Sequence, residues 1–302
     1  MLTVARAPAY ATVQDAGRPG FMSSGVPRAG AMDIPSLFTL NTMLGNDRSC
    51  AAIELALSGG EIEFESSAAF AVGGATADLR LSGRVIPMWQ VHQAIQGDSL
   101  AIAPPRDGRF IYLAVAGGID VPLIMRSRST YLPGQFGGLD GRRLKNGDIL
   151  GVIETGRKQR HQVSDALPAD LRPHQRINTV RYIPRGGHEL AGEFVISGAS
   201  DRTGYRLDSV TRLAGDSILS EPVCPGTIQV PPEGHPIVLM ADAPTIGGYR
   251  IAGAVISADL GCLAQRSPRD TIAFESVTVY EAQKILERVS GKLESVREWR
   301  LA

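Results

Sequence analysis

The sequence predicts a mainly β protein made of two halves of similar β-fold, with a few short helices and an amphipathic C-terminal helix. Three observations predict it. First, 34 glycines and 19 prolines are spread over all 302 residues, which favours short strands and many turns over a helical bundle. Second, the chain echoes itself. Phe70 starts FAVGGATADLRL and Phe194 starts FVISGASDRTGYRL; Gly97-Asp98-Ser99-Leu100 is matched by Gly215-Asp216-Ser217-Ile218. Pro104-Pro105 precedes an apolar run and Gly117-Gly118, as Pro231-Pro232 precedes one and Gly247-Gly248. Third, helical spacing of apolar residues takes over only after Ser276 and, briefly, after Asp33.

Each element follows in order. Leu2 to Ala7 reads as a strand, followed by two polar, glycine-punctuated loops at 12–20 and 25–33. Asp33 has the character of an N-cap and Pro35 suits a first helical turn. The helix they open runs to about Leu44, with Leu37, Leu40 and Leu44 on one face, and Gly45-Asn46 ends it. Ile53–Leu57, Glu61–Phe64 and Ala69–Val72 read as strands, and further strands follow the echo. The stretch Glu154–Arg176 is basic, proline-bearing and poor in apolar residues, which predicts a solvated connection between halves 1–165 and 175–302 that are free to exchange segments. Beyond Ser276, Val279, Ala282, Ile285, Leu286, Val289 and Leu293 recur at helical spacing opposite Glu281, Lys284, Glu287 and Arg288, which predicts a helix packed on a barrel.

Lys plus Arg equals Asp plus Glu at 31 each, so no net field draws the chain to nucleic acid or an acidic membrane. No apolar run has the length of a signal peptide or a membrane span. Cys50, Cys224 and Cys262 share no metal or redox spacing, and this sparse, odd count fits a reducing, cytoplasmic setting. His92, His161, His174, His188 and His235 are isolated in sequence, and no cluster predicts a metal site. The chain contains no Walker-type loop and no G-x-S-x-G elbow.

What remains is a set of polar, glycine-rich loops, and the longest organises the rest. Ser127 to Asp148 reads SRSTYLPGQFGGLDGRRLKNGD, with five glycines, one proline and almost no aliphatic bulk. Gly137 and Gly138 favour positive φ or close ligand approach, and successive exposed N–H groups can form an anion-binding concavity. Catalysis by such loops rests on positioning and backbone donors, with Asp, Arg or Tyr as proton carriers or clamps. The candidates for catalysis are Asp15, Arg18, Tyr131 and Arg202. Those for ligand binding are Arg28, Ser129, Thr130, Gly137, Gly138, Asp140, Gln229 and Tyr249. For each arginine, a structural ion pair is the competing reading, since the same fork that clamps a ligand carboxylate clamps an aspartate.

TVQDAGRPGF (12–21), GVPRAGAMD (25–33), LGND (44–47), the 127–148 loop, SDRTGYRL (200–207), SEPVCPGTIQVPPEG (220–234), GGYRIAGAVISADL (247–260) and AQRSP (264–268) resemble one family over nearly the whole chain. It is the family of the 5-oxoprolinase C subunit, also described as biotin-dependent carboxyltransferase, the second allophanate hydrolase subunit, or antagonist of a kinase inhibitor. The resemblance implies two cyclophilin-like β-barrel halves. It implies a kinase-inhibitor-like protein, the B subunit, as partner, and an A-type subunit beside it. Together these hydrolyse 5-oxoproline to glutamate with ATP and magnesium. Two alternatives stand beside this: a carboxyltransferase that receives carboxybiotin from another protein and acts on a small amide such as urea, and a non-catalytic regulator. Thr203, Ile246 and Arg250 depart from the family pattern, which bears on the substrate and not on the fold.

Overall fold

The computed structural model describes residues 1–154, 166–173, 177–186, 189–209 and 212–301. The expected connection falls largely on 155–165 and 174–176, and His161, His174 and His188 also lie outside the described residues. The chain is mainly β and divides into two compact units. The first comprises Met1–Gly17, Asp33–Pro173 and Gly291–Ala302; the second comprises Arg18–Met32 and His174–Ser290.

Among the described residues the first unit holds twelve strands: β1 (Leu2–Arg6), β2 (Tyr10–Gln14), β3 (Ala52–Ala56), β4 (Gly60–Phe64), β5 (Ala68–Thr76), β6 (Leu79–Leu81), β7 (Arg84–Ile86), β8 (Val91–Ala94), β9 (Ser99–Ile102), β10 (Asp107–Val115), β11 (Ile119–Asp120) and β12 (Ile149–Val152). They form a sheet of order β11-β12-β1-β4-β9-β6-β7 and a second of order β2-β3-β10-β5-β8. Alternation decides which side chains meet between them. Leu2, Val4, Ile62, Phe64 and Leu100 from the first sheet join Val13, Ile53, Leu55, Phe70, Val72, Ile111 and Leu113 from the second in one core.

The opposite face of the second sheet is built differently. It carries the small residues Ala69, Ala71 and Ala114, and helix α1 (Ile34–Leu44) packs on β5 and β10 there. The helix ends are set by local chemistry. Asp33 Oδ1 accepts from the Ser36 N–H at 3.1 Å and its Oδ2 from the Ser36 hydroxyl at 2.6 Å, while Gly45 closes the helix at φ 68°. Leu37, Leu40 and Leu44 are buried.

The second unit contains β13 (Thr179–Pro184), β14 (Glu193–Ile196), β15 (Gly204–Asp208), β16 (Ser217–Pro222), β17 (Thr227–Val230), β18 (Ile237–Leu239), β19 (Ile246–Val255) and β20 (Thr271–Ser276). The sheet runs β13-β20-β14-β15-β18-β17-β19-β16, and β13 also pairs with β19. That extra ladder closes seven strands into a barrel and leaves β16 as an appended strand. Closure removes the free edges that an open sheet would present. Helix α2 (Ser257–Ala264) follows β19 and contacts β13. Asp259 on α2 is buried and accepts from Arg181 three times, from its backbone N–H at 2.8 Å, Nε at 2.9 Å and Nη2 at 2.5 Å.

Two expectations need correction. The basic stretch before the second half is not all solvated, because Leu167 is buried and its N–H donates to Trp89 O at 2.6 Å. The C-terminal helix α3 (Val279–Leu301) forms, but its apolar stripe is only partly covered. Val296 is buried, while Val279 and Leu286 stay 56% and 43% exposed.

The barrel should depend on Asp259. Asp259→Ala leaves the Arg181 guanidinium and backbone N–H without their acceptor, a loss of about 3 kcal/mol or more for a pair buried on one side. Urea unfolding monitored by circular dichroism measures it, and Asp259→Asn should lose less.

Candidate functional site

The candidate residues fall into two groups, one in each unit. In the first unit the group starts where β2 ends. Thr12 and Gln14 point to the face opposite the core, and Asp15 follows as the strand turns away. Asp15 is buried, and its carboxylate is occupied by three neutral donors. Oδ1 accepts from the Gly17 N–H at 2.8 Å and the Ser127 hydroxyl at 2.7 Å; Oδ2 accepts from the Arg128 N–H at 2.5 Å. Ser127 and Ser129 hydroxyls lie 2.7 Å apart. Thr130 donates to Val13 O through both its N–H, at 2.9 Å, and its hydroxyl, at 3.0 Å. The start of the organising loop is thus stitched to β2, and Ser127, Ser129 and Thr130 are fully buried. Polarity predicts these residues to be exposed; the hydrogen bonds remove the cost of burying them.

The glycines decide the rest of the loop. Gly137 and Gly138 have φ 74° and 55°, and a Cβ on Gly138 would overlap the Thr130 hydroxyl. The Gly138 N–H donates to Arg128 O at 3.1 Å. Tyr131 and Phe136 pair across the turn with ring centroids 5.5 Å apart. Asp140 is exposed with φ 55° and sits 3.4 Å from Arg142. Arg142 also grips Asp148 through Nη1 at 2.7 Å and Nη2 at 2.9 Å, closing the loop on itself. That fork, with burial opposing it, holds the Asp148 carboxyl below the usual carboxylate range.

The second unit holds Arg18, Arg28, Arg202, Gln229 and Tyr249. Arg18 is fully buried and its N–H donates to Arg28 O at 2.8 Å, while the Arg28 side chain is exposed. Arg202 is buried and forked onto Asp242, with Nε and Nη2 each at 2.8 Å, and Nη2 also reaches Gly30 O at 2.7 Å. The arginine therefore ties the 18–32 segment to the strands of its own unit. Gln229 on β17 is buried against Gly247, where a Cβ would overlap its amide. Among the described residues its Nε2 has no hydrogen-bond partner. Tyr249 is exposed on β19 opposite Ser217.

Sequence reasoning missed a polar layer under α1. Glu54 on β3 lies opposite Thr12 on β2 and Tyr112 on β10. All three are fully buried. Tyr112 donates to Glu54 Oε2 at 2.7 Å and accepts from the Asp33 N–H at 2.8 Å. Burial, then the Glu54 and Asp33 charges, push the phenol far above its ordinary value, so it stays a donor. Gln14 joins this layer: its Nε2 donates to Thr12 Oγ1 at 3.0 Å and Thr130 O at 3.1 Å, and its Oε1 accepts from none of the described residues. The one signal was Glu54 in the middle of AIELA, where alternation predicts an outward, solvated carboxylate. Among the remaining candidates, His92 is buried, stacks on Phe70 and bonds Pro87 O at 2.8 Å. Cys224 is exposed. Among the described residues no three His, Cys, Asp or Glu side chains converge on a metal position, and no helix is long and apolar enough to cross a membrane.

A mainly β chain with a closed seven-strand barrel and glycine-rich loops stitched by buried polar bonds fits one class, and its relatives define it. The chain belongs to the family described as carboxyltransferase domain, subdomain A and B, whose model matches residues 24–276. It is 37% identical to the C subunit of 5-oxoprolinase from Escherichia coli K12, over 100% of this chain and 99% of that protein. To the corresponding 5-oxoprolinase C subunit of Haemophilus influenzae it is 34% identical over 98% of both. It is also 30% identical to the urea amidolyase of Saccharomyces cerevisiae, over 92% of this chain but 17% of that protein. The crystal structure of the Kluyveromyces lactis urea amidolyase matches with a TM-score of 0.88 at 26% identity. That match covers 98% of this chain and 20% of the amidolyase.

Two outcomes follow. Gly138→Ala must place a side chain at positive φ against Thr130, so it should cost well over the about 1 kcal/mol that separates Gly from Ala at compatible sites, read by chemical denaturation. The Asp148 carboxyl is depressed in the folded state, so its stabilisation is present above the ordinary carboxylate pKa of about 3.9 and lost as pH falls through the folded value. Asp148→Asn should therefore lower stability at neutral pH and flatten the acid limb of a Tm-against-pH curve.

Proposed function

We propose that this chain is one component of an ATP-dependent complex that hydrolyses 5-oxoproline to glutamate. It would work in the cytoplasm with a kinase-inhibitor-like B subunit and an A-type subunit. One observation carries the reading: the chain aligns from end to end with the bacterial 5-oxoprolinase C subunit, covering 99% of the Escherichia coli protein at 37% identity. It spans only about a fifth of the urea amidolyases it also resembles.

The site chemistry supports a shared active site. Water must add to the lactam carbonyl and the C–N bond must break, so the reaction needs a proton donor for nitrogen and stabilisation of a developing oxyanion. Asp15 already accepts three hydrogen bonds, which suits a positioning residue better than a general base. Arg202 is likewise committed to Asp242 and Gly30. Arg28, Tyr131, Asp140 and Tyr249 keep exposed or half-exposed side chains and are the better candidates for ligand contact. The Gln229 amide is suited to the substrate carbonyl or carboxylate. ATP and magnesium are assigned to the complex as a whole.

A second reading has its own support. The family is described by a carboxyltransferase domain, and the Kluyveromyces lactis urea amidolyase shares the fold over nearly the whole chain. Under it, the chain transfers a carboxyl group from carboxybiotin, held by another protein, to a small amide such as urea.

The test assays glutamate formation from 5-oxoproline with ATP and magnesium. The reconstituted complex should turn over and the isolated chain should be silent. Turnover by the chain alone overturns the shared site. Turnover that requires bicarbonate and a biotinylated carrier overturns hydrolysis in favour of carboxyl transfer.

A further inference from the structure

The short segment between β11 and the organising loop carries a contradiction between sequence and conformation. Ile124 and Ser127 form an isolated antiparallel bridge, with the Ile124 N–H on Ser127 O at 2.9 Å and the Ser127 N–H on Ile124 O at 3.2 Å. Only Met125 and Arg126 lie between them, at φ 51° and 63°. Two successive positive φ values are the signature of a type I′ hairpin, where Asn-Gly or Asp-Gly is preferred. Methionine and arginine each carry a Cβ that opposes this conformation and have no short polar group to offset it. The surrounding structure imposes the turn, because Asp15 grips Ser127 and Arg128 at its base.

The tip combines exposed apolar side chains with a cation. Leu123 is 59% exposed and Met125 39%, and Arg126 is exposed beside them. The neighbouring Arg128 has a carboxylate partner, Asp120 at 3.3 Å. Among the described residues none engages Arg126. Strain that the rest of a fold maintains is characteristic of clamps and binding elements.

We infer that this hairpin tip is a docking element, and that it seats in an apolar recess rimmed by carboxylates on a partner polypeptide. Leu123 and Met125 supply apolar area, and an unbranched thioether adapts to an irregular recess. Arg126 supplies one cation whose planar fork matches a carboxylate, giving orientation and electrostatic complementarity. A small anion would use Arg126 and leave both apolar chains in water. An acidic lipid surface draws on a cluster of cations, and the tip offers one that is unpaired. The inference rests on the multi-component reading above and names the contact through which the complex would form.

The test measures, by calorimetry, the affinity of the full chain for the purified kinase-inhibitor-like partner protein, with melting temperatures taken in parallel. Met125→Asn/Arg126→Gly suits the imposed φ values, so it should melt at or above wild type while binding at least tenfold more weakly. Arg126→Glu should bind more weakly still, and less so at high salt. Binding of both variants within twofold of wild type overturns the docking tip and leaves the multi-component reading standing. Absence of binding by wild type overturns that reading and the tip with it. A lowered melting temperature of the double variant overturns the strain argument. Self-association of wild type that the variants abolish overturns the choice of a different polypeptide as occupant.

Discussion

A single buried carboxylate carries much of the first unit's local order. Asp15 sits where β2 ends, and by accepting from Gly17, Ser127 and Arg128 it joins segments that are over a hundred residues apart in sequence. A buried carboxylate without donors would be prohibitively costly, and each donor that satisfies it is itself fixed. The consequence spreads outward. With Ser127 and Arg128 held, Thr130 reaches Val13, and the Thr130 hydroxyl then fills the space where a Gly138 side chain would lie. The long glycine-rich loop is thus ordered at its start by polar bonds and further along by steric fit, with little hydrophobic packing of its own.

The second unit uses the same device with the charges reversed. Arg202 is the buried ion, and Asp242 with Gly30 O satisfies it. A buried pair of this kind contributes more to specifying one arrangement than to net stability, because desolvation offsets most of the attraction. Here it specifies where the 18–32 segment lies within its unit. The barrel strands provide the rigid frame, since β13 pairs with both β20 and β19 and closes the ring.

The Kluyveromyces lactis amidolyase shares the backbone over nearly the whole chain at 26% identity, while the bacterial 5-oxoprolinase C subunits share its full extent. A frame held by ladders and alternating apolar residues tolerates wide sequence change. Thr203 lies just before β15, while Ile246 and Arg250 lie on β19.

Features whose cause is local were legible in the sequence. The Asp33 cap, Pro35 and Gly45 bounded α1 correctly because capping involves bonds within a turn. Gly137 and Gly138 declared their positive φ because few other residues adopt it readily. The strands at 53, 61 and 69 and the C-terminal helix followed from periodicity, and the mainly β class followed from turns. The loop that follows Ser127 was visible too, as a polar segment rich in glycine, whereas Thr12, Gln229 and Tyr249 lie on strands β2, β17 and β19. What the sequence could not decide is which polar residues face water. Ser127, Ser129, Thr130, Glu54 and Tyr112 are buried only because distant strands and α1 close over them and supply partners. Leu167 is buried through a bond to Trp89 that no local pattern announces. Val279 and Leu286 stay exposed for the complementary reason, since periodicity marks an apolar stripe but not the surface that meets it. Burial is a property of pairs of segments, and only the tertiary structure brings those pairs together.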